Sequence, residues 1–212
     1  TAVHWIIDQP GVIGLPIPGT EILLTPNGSK HELRVRGPNV TPGYWRSPEL
    51  TKAAFDGDGF YRIGDAGKFF DARDATKGIV FDGRVAEDFK LSTGTWVSVG
   101  AVRVKLIAAA DPLIQDAVIT GHDRNEIGAL VFLSPAAKDF DAREKIREAL
   151  RRLALEGGSS THPTRVLVMT EPPSIDANEI TDKGYMNQRA VLERRAALVE
   201  KLYSDSPDVI TS

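Results

Sequence analysis

Near Gly83 the chain changes character. Before it, Gly and Pro are closely spaced and the apolar runs are short and β-like: Ile22–Leu24, Leu33–Arg36, Phe60–Ile63 and Gly78–Phe81. Turn signals such as TPNGSK and DGDG separate them. One short helix interrupts the series, with Ser47 as N-cap, Pro48 at the first helical position and LTKAAF after it. Beyond Gly83, strand and helix patterns alternate. VGAVRVKLIAAA (99–110) spaces its apolar residues as a helix; DAVITGH (116–122), IGALVFLS (127–134) and TRVLVMT (164–170) read as strands. DAREKIREALRRLALEG (141–157), capped by Asp141, is an amphipathic helix, and MNQRAVLERRAALVEKLY (186–203) a closing one. The pattern predicts an α+β chain in two parts. Residues 1–83 form a small β-barrel or curled sheet, and 84–212 a compact domain of helices on a small mixed sheet, with the boundary near Gly83–Asp88.

Composition removes several classes of function. The 212 residues contain no cysteine, which excludes disulfides, thiolate metal sites and a cysteine nucleophile. A net charge of −3 leaves no electrostatic footprint for nucleic acid. No apolar run reaches the length of a membrane span, and TAVHWIIDQPGVIG lacks the layout of a signal peptide. A cytoplasmic location is therefore expected. The absence of an initiator methionine suits either a piece of a longer protein or simple methionine removal. The four histidines (4, 31, 122 and 162) have no paired metal-ligand spacing and read as structural or surface groups.

Asp65, in YRIGDAGKF, raises the question of chemistry. A carboxylate between small residues suits a local turn, and equally an acceptor aimed at something outside the protein. Four segments bear on the choice. They are PGVIGLPIPG (10–19), Gly43-Tyr44-Trp45 with Pro48 and the helix ending at Phe55, YRIGD (61–65), and GRVAEDFKLSTGTWV (83–97). Each is weak alone. In this order and spacing they resemble the adenylate-forming superfamily: acyl- and aryl-CoA synthetases, luciferase and the adenylation domains of peptide synthetases. The resemblance covers nearly the whole chain, as the carboxy-terminal portion of a complete member.

The resemblance implies that Asp65 accepts hydrogen bonds from the ribose hydroxyls of ATP or AMP, and that Arg84 lies beside the same ribose. The chemistry suits the residues: a carboxylate offers two acceptor oxygens to two adjacent hydroxyls. Two positions after Arg84 the family places a hinge residue, usually Asp or Lys; here it is Ala86. Lys90 matches a lysine near the nucleotide, or is a snorkelling strand lysine. Gly94, Thr95 and Trp96 match a glycine-led loop that faces coenzyme A, although Trp96 equally suits a packed aromatic. The STG stretch carries one extra residue, and Ala101 and Arg103 stand where glutamates usually open the next helix.

NEITDKGYMNQRAVLERR (178–195) carries Lys183, which the resemblance makes the lysine bridging substrate carboxylate and α-phosphate during adenylation. An ammonium placed there offsets the repulsion of two anions as charge develops. The segment departs from the usual Thr-x-x-Gly-Lys pattern and looks most like the aryl-CoA synthetases called feruloyl-CoA synthases, as does GRVAEDFKLSTGTW. The resemblance thus implies an ATP-dependent carboxylate–CoA ligase using ATP/AMP, coenzyme A and Mg2+, acting on a hydroxycinnamate-like acid. On that reading this portion alone is inactive. Delivery of the acyl group to a carrier protein, and a non-catalytic nucleotide-binding module, are the alternatives.

Overall fold

A computed structural model describes residues 2–3, 11–28 and 30–212. Pro10, which opens the first motif, and His4 lie outside these residues. The chain forms two compact units that meet in sequence between Ala86 and Glu87.

The first unit is a six-stranded sheet. Its strands are β1 (Ala2–Val3), β2 (Val12–Pro16), β3 (Glu21–Asn27), β4 (Lys30–Arg36), β5 (Tyr61–Phe69) and β6 (Ile79–Arg84). They lie in the order β1-β2-β6-β5-β4-β3, with every pairing antiparallel. β1 and β3 remain edges, so the sheet is open rather than a closed barrel. α1 (Pro48–Ala54) begins with proline as its motif requires, but the Ser47 side chain makes no cap bond. Thr51 instead bonds back to the Ser47 carbonyl through Oγ1, at 3.0 Å. β5 runs well past the Phe60–Ile63 core expected from sequence, because Gly64 at φ +74° bends the strand without ending it. Pairing with β6 shifts register between Asp65 and Gly67, so Asp65 sits within a bulged strand.

The second unit opens with a short hairpin, β7 (Phe89–Lys90) and β8 (Trp96–Val97), then α2 (Val99–Ala109). A four-stranded sheet follows, ordered β12-β11-β10-β9, from β9 (Ile114–Thr120), β10 (Gly128–Leu133), β11 (Arg165–Val168) and β12 (Ile210–Thr211). β10 and β11 are parallel and joined through α3 (Ala142–Glu156); the other pairings are antiparallel. Strand alternation sorts the core into two layers. Ala117, Ile119, Ala129, Val131 and Val166 pack with α2 and α3; Val118, Leu130, Phe132 and Leu167 pack with Met186, Val191 and Leu202 on the other face. Burial on both faces explains why β10 reads as an unbroken apolar run. α3 behaves as its sequence predicts: Asp141 accepts the Glu144 N–H at 3.2 Å, and Ile146, Ala149, Leu150 and Leu153 form its buried stripe.

The closing helix differs from expectation. It is two helices, α4 (Gln188–Arg194) and α5 (Ala196–Leu202), broken at Arg195. The break has a cause. Arg195 turns inward to Glu179, whose carboxylate has no exposed surface. Arg195 Nε donates to Glu179 Oε1 at 2.7 Å and Nη2 to Oε2 at 2.9 Å, a bidentate fork. Arg194 Nη1 and the Ser174 N–H also donate to Oε2, at 3.0 and 2.8 Å. Arg195 completes its donors on the Glu171 and Pro172 carbonyls. Hydrogen bonds from Arg195 hold the Glu179 carboxyl down at about 2, against an ordinary 4.5, and overcome the opposing effect of burial.

The sign of the consequence follows from which state binds the proton more readily. The unfolded chain takes it up near pH 4.5, the folded chain only near 2. The stabilisation is therefore complete above about pH 4.5 and drains away as pH falls toward 2, amounting to roughly 3 kcal/mol. We expect urea unfolding of the second unit to show a wide gap between the natural chain and Glu179→Gln at pH 6, narrowing by about that amount near pH 2. A gap independent of pH would refute this.

Candidate functional site

In the first unit, Asp65 and Arg84 are direct cross-strand partners on β5 and β6. Arg84 Nη1 donates to Asp65 Oδ1 at 2.8 Å. The carboxylate is partly exposed (30%), and its Oδ2 has no hydrogen-bond partner among the described residues. It is not spent on a local turn. Gly64 beside it has φ +74°, and a Cβ there would lie 3.3 Å from Arg84 Nη2, a tight contact that the arginine would have to relieve by a small shift. An exposed ion pair of this kind adds little stability, on the order of 0–1 kcal/mol. Its value lies in aim: the fork fixes one carboxylate oxygen and leaves the other for a hydroxyl donor.

A second pair joins the start of the same strand to the loop before α1. Tyr44 and Tyr61 share a hydrogen bond between hydroxyls at 2.9 Å. Tyr44 is set by its own N–H, which donates to Thr51 Oγ1 at 2.9 Å. The Tyr44 hydroxyl holds Tyr61 above its ordinary pKa, while the charge of Arg84 acts in the opposite sense. GYW and YRIGD, separate in sequence, thus converge through their tyrosines. Trp45, the other aromatic of GYW, is 85% exposed.

Ala86 lies in a 3-10 turn, Val85–Glu87, at the sequence boundary between the units. Lys90, Gly94, Thr95 and Trp96 all belong to the hairpin that opens the second unit. Lys90 and Trp96 are cross-strand partners, with Lys90 Nζ 5.1 Å from the centre of the indole. Trp96 is 38% exposed, so its ring is a surface aromatic and not a core one. Gly94 has φ +82°, donates its N–H to the Leu91 carbonyl at 2.8 Å, and faces open space where a Cβ would sit. Backbone conformation is what requires glycine there. Thr93 Oγ1 donates to Thr95 Oγ1 at 3.1 Å across the tip, and the Ser92 N–H donates to the Arg124 carbonyl.

Lys183 occupies a hairpin of its own. Gly184, at φ +81°, donates its N–H to the Thr181 carbonyl at 2.9 Å, and Thr181 N–H to the Tyr185 carbonyl at 2.8 Å. Ile180 and Met186 bridge below. This is a turn closed by a left-handed glycine, with Lys183 exposed just before it. Glu179 stands at the root. Nothing in the sequence marks Glu179 or Arg195 as partners: Glu179 is one of three acids, with Asp176 and Asp182, in a polar segment.

The structure therefore joins Asp65 to Arg84 and Lys90 to Trp96. Among the described residues no hydrogen bond or ion pair links Lys183 to the β7–β8 hairpin. Among the described residues no group of three His, Cys, Asp or Glu is placed to hold a metal, and no helix is long and apolar enough to cross a membrane.

Gly64→Ala tests the geometry of the first pair. A side chain at φ +74° carries about 1–3 kcal/mol of backbone strain, and asparagine tolerates the region better. Thermal unfolding should show Ala well below Gly, with Gly64→Asn between them. Equal stability of Ala and Gly would show that the bulge does not need its glycine.

Comparison with known proteins extends this picture. The chain is 29% identical to probable acyl-activating enzyme 16, chloroplastic, of Arabidopsis thaliana, covering 91% of this chain and 31% of that protein. It is equally similar, at 29%, to the long-chain-fatty-acid–CoA ligase FadD15 of Mycobacterium tuberculosis, covering 92% and 34%. The chain spans about a third of the length of these relatives. Among solved structures, the adenylation domain of the carboxylate reductase from Mycobacterium chelonae superposes with a TM-score of 0.74 at 24% identity, over 92% of this chain and 32% of that one. That likeness shows the fold, the mixed α+β architecture of these adenylation domains. Residues 91–207, more than half of the chain, match the family described as the AMP-binding enzyme C-terminal domain, and the chain belongs to that family.

Proposed function

We propose that this chain is the carboxy-terminal portion of an ATP-dependent carboxylate–CoA ligase. In this reading residues 1–83 are the last β-subdomain of the large nucleotide-binding domain, and 84–212 the small mobile domain. The enzyme joins a carboxylate to AMP with release of pyrophosphate, then passes the acyl group to coenzyme A. Asp65 takes the ribose hydroxyls and Arg84 orients it. Lys183 offsets anionic repulsion during adenylation. Ala86 absorbs the rotation between the two half-reactions. Lys90 lies near the nucleotide, and Gly94, Thr95 and Trp96 face coenzyme A in the second.

The observation that carries the reading is the Asp65 carboxylate, fixed on one oxygen by Arg84 and open on the other. Family membership over 91–207 supports it, as do the CoA-ligase and acyl-activating names of the relatives. We assign a hydroxycinnamate-like acid on the feruloyl-CoA-synthase likeness of residues 83–96 and 180–192, and a cytoplasmic location. Mg2+ binds in such reactions through one or two carboxylates and the phosphates themselves, and no residue here is assigned to it.

In the complete protein, Lys183→Ala should lower pyrophosphate exchange by roughly 100- to 1,000-fold while thioester formation from supplied acyl-adenylate persists. Equal loss of both would remove that role from Lys183. The 212-residue chain alone should release no pyrophosphate from ATP and ferulate. Activity with a carrier protein and none with coenzyme A would move the acceptor to the carrier's pantetheine. Failure of Asp65→Ala to weaken AMP binding in calorimetry would overturn the ribose assignment.

A further inference from the structure

Lys183 lies four residues from Glu179, in a hairpin whose own bonds close its turn between Thr181 and Tyr185. Its tip is exposed from Asp182 to Tyr185, and Met186 alone anchors its side in the core. Its ties to the rest of the unit gather at the root. The Glu179 N–H donates to the Ser174 carbonyl and the Glu179 carbonyl accepts the Asn187 N–H, both at 2.9 Å, so both strands leave from one residue. The next residue on the exit side is pinned as well: buried Gln188 accepts the Ile119 N–H of β9 through Oε1 at 3.1 Å. The Glu179 side chain ties this root to three other segments. It accepts the Ser174 N–H of the preceding loop, Arg194 at the end of α4 and Arg195 at the helix break. Arg195 then reaches on to the Glu171 and Pro172 carbonyls.

We infer that Glu179, clamped by Arg194 and Arg195, is the positioning residue for Lys183, setting the angle at which the lysine hairpin is presented during adenylation. The inference rests on the proposed role of Lys183. A buried ion pair is a costly way to gain stability alone, since apolar packing of similar volume does as well or better. Its merit is a fixed geometry, with each carboxylate oxygen and each guanidinium nitrogen committed to a stated partner. A charge that must meet a phosphate needs such a root, because misplacement by about 1 Å costs on the order of 100-fold in rate.

The test uses the complete protein and reads the two half-reactions separately. Glu179→Gln keeps the shape and removes the charge. Glu179→Asp keeps the charge on a shorter stem. Arg194→Ala removes one contact from a half-exposed side chain and so leaves the fold standing. We expect Glu179→Gln to lower kcat for pyrophosphate exchange roughly 10- to 100-fold with KM for ATP little changed. Arg194→Ala should lower it less, and Glu179→Asp should recover part of the Gln loss. All three should pass supplied acyl-adenylate to coenzyme A at near-natural rates, and amide exchange at Thr181 and Tyr185 should quicken in Glu179→Gln. If Glu179→Gln fails to fold, Arg194→Ala and Glu179→Asp decide alone. Parallel loss of both half-reactions, or no selective loss in any variant, overturns the inference. Lys183→Ala is run alongside: if it abolishes adenylation and the clamp variants do not, only the clamp fails. If Lys183→Ala spares adenylation, the functional reading fails and the clamp with it.

Discussion

The Glu179–Arg195 ion pair is the interaction on which the carboxy-terminal architecture turns. A fully buried carboxylate costs several kcal/mol unless its lone pairs are met by charged donors. Meeting them here breaks a helix. α4 and α5 together have the sequence of one continuous amphipathic segment, and the chain surrenders that continuity so that Arg195 can face inward. The break lets Val191 and Leu202 pack on the same face of the sheet while the guanidinium lies over Phe132, 5.2 Å from the ring centre. Apolar layer, helix break and lysine hairpin thus share one electrostatic anchor.

Features with local causes were legible in the sequence. Asp141 capping α3, the stripe from Ile146 to Leu153 and the β10 run each depend on neighbours within a few residues, and each folds as its pattern predicts. Features with distant causes were not legible. Glu179 and Arg195 are sixteen residues apart, and either alone reads as a solvated charge in a polar segment. The length of β5 was missed because Gly64 reads as punctuation, whereas β6 continues the pairing beyond it through Arg84. The β7–β8 hairpin holds only two residues per strand, too few for any periodicity to declare itself.

Glycine serves two different purposes at the candidate site. Gly94 faces open space, so its left-handed φ is reason enough for it. Gly64 combines a left-handed φ with close approach of the Arg84 guanidinium, and the nearby register shift re-aims the neighbouring carboxylate. The same residue type thus serves a turn in one hairpin and a cross-strand ion pair in the other. That difference was visible only once the partner strand was placed. Lys90 and Trp96 follow the same rule: six positions apart in sequence, they become a cation–π pair because the turn between them sets their register.

The two candidate charged groups are mounted differently, and the difference suits the roles proposed for them. Asp65 sits in the body of a six-stranded sheet, on a strand flanked by β4 and β6 and paired itself with Arg84 of β6, a fixed mounting that suits a ribose acceptor. Lys183 sits at the tip of a short hairpin with a rigid root, where a cation is exposed without being loose. A group needed in one half-reaction only must arrive and leave with its domain, so its precision has to travel with it. An anchor buried inside the same unit meets that requirement, because Glu179 and its partners among residues 171–195 belong to one compact unit with Lys183. Ala86, in the turn between the units, offers no side-chain hydrogen bond to break.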